Sequence, residues 1–291
     1  MNLFKGAGVA LVTPFNADMT IDFPALRRLV QEQISGGTNY LVVQGTTGES
    51  PTLNSEEKKQ VLETVLEENN GKLPVVYGAG GNNTMSVIEA IKKIPKGVDG
   101  ILSVAPYYNK PTQAGYLAHY KALASETDLP IILYNVPGRT GSNVLAETTL
   151  ELAEIKNIVA MKEASGNMEQ IMEIIRSRPE NFLVLSGDDA ITLPLIAAGA
   201  DGVISVVANS FPKQFSQMVT SALNGDFETA RKFHYDLLPV TKLLFAEGNP
   251  GGVKIALEEL GWMKPYMRLP LVQVSEGLKA KIVAETKKLT K

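Results

Sequence analysis

The sequence has no cysteine, two histidines and a single tryptophan. Without cysteine there is no disulfide, no thiolate metal site and no cysteine nucleophile, a composition that fits a cytoplasmic protein. His119 and His234 both fall in stretches with helical periodicity. Neither stands where a strand-end zinc ligand would be expected, so the reading expects no metal centre. No apolar run reaches the ~20 residues that cross a bilayer. The opening Met-Asn-Leu-Phe-Lys-Gly has no basic stretch followed by a long apolar segment, and no signal peptide is expected. Charge is also nearly balanced: 28 Lys and Arg against 31 Asp and Glu give a net −3. That leaves no basic footprint for nucleic acid or an anionic membrane. No linker, low-complexity tract or charge block divides the chain.

What the sequence does have is a repeated alternation. Short apolar runs stand at Val9–Val12, Tyr40–Val43, Val75–Tyr77, Gly100–Val104, Ile131–Tyr134, Ile158–Met161, Leu183–Leu185 and Gly202–Val207. They are rich in Val and Ile and do not alternate with polar residues, which is what a parallel sheet buried on both faces requires. Amphipathic stretches separate them, for example Pro24–Ser35 with Leu26, Leu29, Val30 and Ile34 on one face. Further helices are expected over 55–68, 84–94, 112–125, 146–155, 167–177 and 189–198. Eight strands alternating with helices predict a (β/α)8 barrel, within reach of 291 residues. An open doubly wound sheet is the alternative. It lacks its phosphate-binding fingerprint here, since Gly78-Ala79-Gly80-Gly81 is too short and follows the third strand. From about Phe211 only helical periodicity remains. The expected organisation is a catalytic barrel over 1–224 and a helical extension over 225–291 packed against it.

Barrel chemistry sits in the loops after the strands. Those loops hold Thr13, the Gly45-Thr46-Thr47-Gly48-Glu49-Ser50 turn, Pro106-Tyr107-Tyr108-Asn109, Tyr134-Asn135-Val136-Pro137-Gly138-Arg139, Lys162, Ser186-Gly187-Asp188-Asp189 and Ala208-Asn209. Lys162 is the unusual member, a lysine running straight on from Ile158-Val159-Ala160-Met161. Desolvating an ammonium is costly unless it is paired or gives up its proton. Two readings are open: the side chain reaches out of the strand end and pairs with Glu163, or it stays inside and its amine attacks a carbonyl to form a Schiff base. Tyr134 closes the neighbouring strand, ~4.8 Å away, close enough for its phenol to exchange a proton with that amine. Arg139 offers a planar fork for a carboxylate, or a surface ion pair. Asp188 and Asp189 are read as caps of the next helix rather than, with Glu163, as a magnesium site. They would repel a phosphate, so the substrate is expected to be unphosphorylated.

Taken in order and at barrel spacing, Gly-Thr-Thr-Gly-Glu-Ser, Pro-Tyr-Tyr-Asn, Tyr-Asn-Val-Pro-x-Arg-Thr, Lys-Glu-Ala-Ser-Gly, Ser-Gly-Asp-Asp and Gly-Val-Ile-Ser resemble the dihydrodipicolinate synthase family of class I pyruvate-dependent aldolases. The likeness extends to Arg268-Leu269-Pro270-Leu271. It implies a lyase that condenses pyruvate with L-aspartate 4-semialdehyde through a Schiff base on Lys162, with no metal or organic cofactor. It further implies a proton relay of Tyr134, Thr46 and Tyr108, with Tyr108 supplied by a neighbouring subunit of a homotetramer. Thr47, Ile204 and Gly187 would contact pyruvate, and Arg139 the carboxylate of the second substrate. Within the same superfamily, N-acetylneuraminate lyases and keto-deoxy sugar acid aldolases are the alternative. From another class, the alternative is a silent barrel that senses a keto acid.

The chain departs from the family pattern in places. Gly138 stands where serine is frequent, and Asn249-Pro250-Gly251-Gly252 where Asn-Pro-Ile-Pro is common. Members that are inhibited by lysine carry a glutamate at the position of Ser86 and histidines near Ser55 and Lys58. Here an acid is missing and an ammonium added, which disfavours a cationic effector. Weak or absent inhibition by lysine is expected.

Overall fold

The structure, a computed structural model, describes residues 3–290. Met1 and Asn2 of the opening stretch and Lys291 at the end of the extension lie outside the described residues. Eight strands close into one parallel barrel in sequential order. They are β1 (Gly6–Ala10), β2 (Tyr40–Val43), β3 (Val75–Gly78), β4 (Gly100–Val104), β5 (Ile131–Asn135), β6 (Ile158–Glu163), β7 (Leu183–Ser186) and β8 (Gly202–Ser205). β1 pairs with both β2 and β8, which closes the ring.

The helices are α1 (Phe23–Ser35), α2 (Ser55–Asn69), α3 (Thr84–Ile91), α4 (Gln113–Ala124), α5 (Pro137–Thr140), α6 (Ala146–Ala153), α7 (Met168–Ser177), α8 (Thr192–Ala197), α9 (Pro212–Leu223), α10 (Phe227–Phe245), α11 (Gly251–Glu259) and α12 (Glu276–Leu289). Several begin where the chain supplies a side-chain cap. Asp22, Thr112, Asn167, Asp226 and Ser275 each accept a hydrogen bond from a backbone N–H of the first turn. Asn54 and Glu57 form a reciprocal capping box on α2. No helix among the described residues is long and apolar enough to cross a membrane.

The barrel is filled rather than hollow. Ala10, Tyr40, Val42, Val76, Leu102, Ile132, Ala160, Leu185 and Ile204 form its interior cluster, and Phe4 packs edge-on against Tyr40, 5.8 Å between ring centroids. Each large apolar side chain withdrawn from water in this way contributes ~1.5–3 kcal/mol. Gly8 makes room for this packing, since a Cβ there would lie 2.2 Å from the Tyr40 ring. That glycine-rich start hid part of the first strand: the apolar run predicts 9–12, and the strand is Gly6–Ala10.

Two other boundaries differ from the sequence reading. β8 stops at Ser205 because Asp189 takes the N–H groups of Val206 and Val207, and a 3-10 turn follows over Val207–Asn209. The helix expected over 189–198 is split into a 3-10 turn, Asp189–Ile191, and α8. Pro194 has no N–H to donate to the Ala190 carbonyl four residues earlier, so the α-helical ladder does not run back into the Asp189–Ile191 turn, and α8 starts at Thr192 with Pro194 in its first turn. The extension is continuous with the barrel. Leu237, Val240 and Leu244 of α10 and Val253, Ile255 and Leu257 of α11 share one buried cluster with Val9, Leu29 and Phe215.

Candidate active site

Side chains on a strand alternate between its faces, so in β6 the outward Met161 fixes Lys162 as inward and Glu163 as outward. Met161 belongs to the cluster between sheet and helices, and Ala160 to the barrel interior. A register shift between β5 and β6 at Ile131/Ile132 then sets Tyr134 beside Lys162. The amine lies 4.1 Å from the centre of the Tyr134 ring. Both side chains are buried, Lys162 at 5% exposure and Tyr134 at 7%.

The pairing of Lys162 with Glu163 does not form. Glu163 is fully buried on the other face and is held by neutral donors: Asn135 Nδ2 at 3.1 Å to each oxygen, Gln170 Nε2 at 2.9 Å and the Ser165 N–H at 2.8 Å. That side chain is also unavailable to a magnesium site with the two aspartates. Asp188 caps the 3-10 turn through Ala190, as expected. Asp189 does not cap its own turn. Its Oδ2 accepts from the N–H groups of Val206 and Val207 at 3.0 and 3.1 Å, tying the end of β7 to the end of β8. Burial pushes its carboxyl up to about 6, against hydrogen bonds that hold it down.

A cavity of about 320 Å³ opens above Lys162 at the C-terminal ends of the strands. Thr46, Thr47, Tyr134, Arg139, Lys162 and Gly187 all line it, so the loops after β2, β5, β6 and β7 converge as expected. Gly187 has a specific reason to be glycine: a Cβ there would stand 2.6 Å from Ala164 Cβ and 3.1 Å from Lys162 Cε. It leaves the space the lysine stem occupies. Arg139, on the single-turn α5, is exposed at the mouth. Lys162, Arg139 and Lys242 face the cavity with Asp188 as the carboxylate among the lining residues. The field therefore favours anions.

Two expected residues are not on the cavity wall. Ile204 lies in the barrel-interior cluster that also holds Tyr134. Tyr108 is 88% exposed, with its backbone in the left-handed region at φ 73°. For a non-glycine residue that conformation costs ~1–3 kcal/mol and persists only where surrounding structure imposes it. Its neighbour Tyr107 lines a second cavity of about 350 Å³, which shares Gly45, Thr46, Tyr134 and Arg139 with the first and also contains Ser50 and Lys58. Among the described residues, no group of three or more His, Cys, Asp or Glu side chains is placed to hold a metal ion.

The profile of the dihydrodipicolinate synthetase family matches residues 3–289. The chain belongs to this family. The 4-hydroxy-tetrahydrodipicolinate synthase of Parabacteroides distasonis is 53% identical over 270 residues, covering 92% of this chain and 91% of that one. Among solved structures of family members, the dihydrodipicolinate synthase of Thermotoga maritima superposes with a TM-score of 0.96 at 44% identity, over 98% of each chain. The chloride-inhibited dihydrodipicolinate synthase of Acinetobacter baumannii, complexed with pyruvate, gives 0.95 at 40%, over 98% of this chain and 99% of that one.

The extension also supplies wall that the strand-end reading missed. Thr241, Lys242 and Phe245 of α10 and Asn249 after it line the cavity. Asn249 Nδ2 donates to Thr47 Oγ1 at 2.9 Å. The visible signal was the Gly-Asn-Pro-Gly-Gly interruption between two helices, which in the sequence stood out only as a departure from the family pattern with no role attached. A second signal was Lys254, the one charge in the apolar run Val253–Leu257.

Proposed function

We propose that this chain condenses pyruvate with L-aspartate 4-semialdehyde through a Schiff base on Lys162, the 4-hydroxy-tetrahydrodipicolinate synthase reaction of diaminopimelate and lysine biosynthesis. The observation that carries this reading is the buried amine of Lys162 set beside Tyr134 at the floor of a cation-rich cavity. An amine in that setting attacks the keto carbon of pyruvate, and loss of water leaves an iminium. The iminium is the electron sink, so the methyl carbon gives up a proton and becomes an enamine. That carbon attacks the aldehyde of the second substrate, and the new alkoxide takes a proton. The amine of the second substrate then adds to the iminium carbon and expels Lys162, closing the ring. The sequence of steps calls on no metal or organic cofactor.

Within this scheme Tyr134 is the nearest proton donor and acceptor, Thr46 the next, and Tyr108 the outer member of the relay. Thr47 and Gly187 on the cavity wall meet the pyruvyl group, and Ile204, which is not on that wall, would meet it only through its backbone. Arg139 receives the carboxylate of the semialdehyde in a two-pronged contact. Tyr108 lies outside both cavities of its own chain, which suits a residue that serves a neighbour. We therefore read the working form as a cytoplasmic homotetramer built from paired subunits, with a barrel over 1–224 and an extension over 225–291.

Borohydride trapping tests the reading. Protein incubated with pyruvate, reduced and digested is expected to carry a reduced pyruvyl group on Lys162, and turnover is expected with aspartate semialdehyde but not with sugar acids. Folded protein that yields no adduct at saturating pyruvate would exclude it.

A further inference from the structure

Two contacts tie the C-terminal extension to the turn that carries Thr46 and Thr47. The first is the Asn249 amide, which donates to the Thr47 hydroxyl. A hydroxyl that already accepts from an N–H keeps its own proton for another acceptor. Thr47 lines the cavity, and an acceptor bound there is the one this proton can serve.

The second contact is an ion pair with no access to solvent. Lys254 is 0% exposed, and its ammonium spends all three N–H groups: on Glu49 Oε1 at 2.5 Å, on the Thr13 carbonyl at 2.8 Å and on the Tyr266 carbonyl at 2.8 Å. The ring of Phe15 lies 4.5 Å from the same nitrogen. The other oxygen of Glu49 accepts from the N–H of Arg268 at 3.2 Å. Glu49 itself closes the 3-10 turn over Thr46–Gly48. Its backbone is left-handed at φ 52°, and its N–H donates to the Thr46 carbonyl at 3.1 Å. Thr13 Oγ1 donates to the Gly48 carbonyl at 2.7 Å from the other side.

Such a pair is a poor source of stability, because desolvation offsets the attraction and an apolar pair of equal size often does as well. What it does supply is one fixed arrangement, and here it fixes the residue next to the substrate-facing turn. We propose that Glu49, Lys254 and Asn249 are positioning residues that hold the Thr46–Thr47 turn at its working distance from Lys162, with Asn249 directing the Thr47 proton at the carboxylate of the keto acid. The inference rests on Lys162 being the Schiff-base residue.

The test uses full-length protein and reads, for each folded variant, pyruvate dependence of trapping, kcat and KM for both substrates. Asn249→Ala leaves the ion pair intact. It is expected to raise the pyruvate concentration for half-maximal trapping about 10-fold, the value of one hydrogen bond to a charged group. In a Thr47→Val background the same substitution is expected to add nothing, since its effect acts through that hydroxyl. Lys254→Met keeps the packing and removes the charge. It is expected to lower kcat/KM for pyruvate about 100-fold, as a displaced reacting group does. KM for the semialdehyde should stay near its wild-type value, because Arg139 sits on a different loop. Folded variants with wild-type pyruvate dependence would overturn the proposal. So would losses spread equally over both substrates, which mark a merely structural role, or additive effects of Asn249→Ala and Thr47→Val. Should Lys254→Met fail to fold, the Asn249 series decides. Absence of an adduct in the wild type would refute the Schiff-base reading instead, so the two failures are distinct.

Discussion

Lys162 and Tyr134 are register partners on adjacent strands, and the lysine amine rests 4.1 Å from the centre of the tyrosine ring. The face of the ring covers the amine, and both residues line the cavity. The two functions of Tyr134 can therefore be separated. Tyr134→Phe keeps the shield and removes the proton. Trapping of pyruvate on Lys162 should persist at a reduced rate while kcat falls ~10²–10⁴-fold, the usual worth of a positioned acid–base group. Quenched-flow trapping set beside steady-state turnover measures both. Equal loss in the two would refute the division.

Gly187 is the spacer for the lysine stem. Gly187→Ala introduces a methyl 3.1 Å from Lys162 Cε and closer still to Ala164. Lys162 can swing into the cavity, but Ala164 Cβ at 2.6 Å has no rotamer and its backbone must give, so the variant should lose stability as well as lower pyruvate trapping by an order of magnitude or more. An unchanged trapping rate would show that the stem has room to spare.

The buried pair of Glu49 and Lys254 gives opposite results for one substitution and for two. Lys254→Met alone leaves a buried carboxylate without its partner and should cost about 3–5 kcal/mol in urea unfolding. Glu49→Leu with Lys254→Met removes both charges and should recover most of that stability. Additive losses in the double variant would mean that the hydrogen bonds of the pair to Thr13, Tyr266 and Arg268 outweigh its desolvation.

Asp189 makes a pH prediction. Its carboxyl stands at about 6 in the folded chain against 3.8 for an exposed aspartate, because burial penalises the charged form. The folded state holds that proton to higher pH than the unfolded state does. The resulting stability is complete below pH 3.8 and is lost as pH rises through 6, by about 3 kcal/mol in all. Asp189→Asn retains an oxygen for the two amides and cannot ionise. Its stability relative to the wild type should improve between pH 4 and pH 7. A constant difference across that range would remove Asp189 as the titrating group.

Free lysine should inhibit turnover weakly or not at all. Lys58 lines the second cavity, half withdrawn from water, and burial pulls its ammonium below the ordinary range. The lining of that cavity carries Lys58 and Arg139 and no carboxylate, and Ser86 is exposed on α3 rather than part of it. An ammonium effector meets like charge there. Initial rates with lysine raised through the millimolar range should stay flat. Strong inhibition below a millimolar would contradict the charge argument.

The barrel was legible in the sequence because a parallel sheet buried on both faces leaves uninterrupted Val- and Ile-rich runs, and eight of them leave few alternatives. The convergent loop residues were legible for the same reason: a strand end in a closed barrel faces one mouth. What escaped the reading lay where periodicity carries no information. Gly6 and Gly8 start a strand without looking like one. Asp189 was read by its nearness to a helix start and instead reaches another strand. Lys254 and Asn249 stand in the extension, and only the tertiary fold brings them to Glu49 and Thr47. Tyr107 and Tyr108 stand side by side in one loop, yet Tyr107 lines the second cavity while Tyr108, left-handed at φ 73°, is 88% exposed.

The distance along the chain between Glu49 and Lys254 has a consequence for synthesis. The two are separated by 205 positions. At a translation rate of ~5–20 residues per second, Glu49 is joined to the chain roughly 10–40 s before its partner is made. Every strand of the barrel is complete by Ser205, well before that moment. All eight strands and Lys162 have thus been made while the turn beside them still lacks its partner in α11. The carboxylate of Glu49 stays hydrated until α11 arrives. The turn that carries Thr46 and Thr47 therefore gains its buried anchor only once α11 has been made.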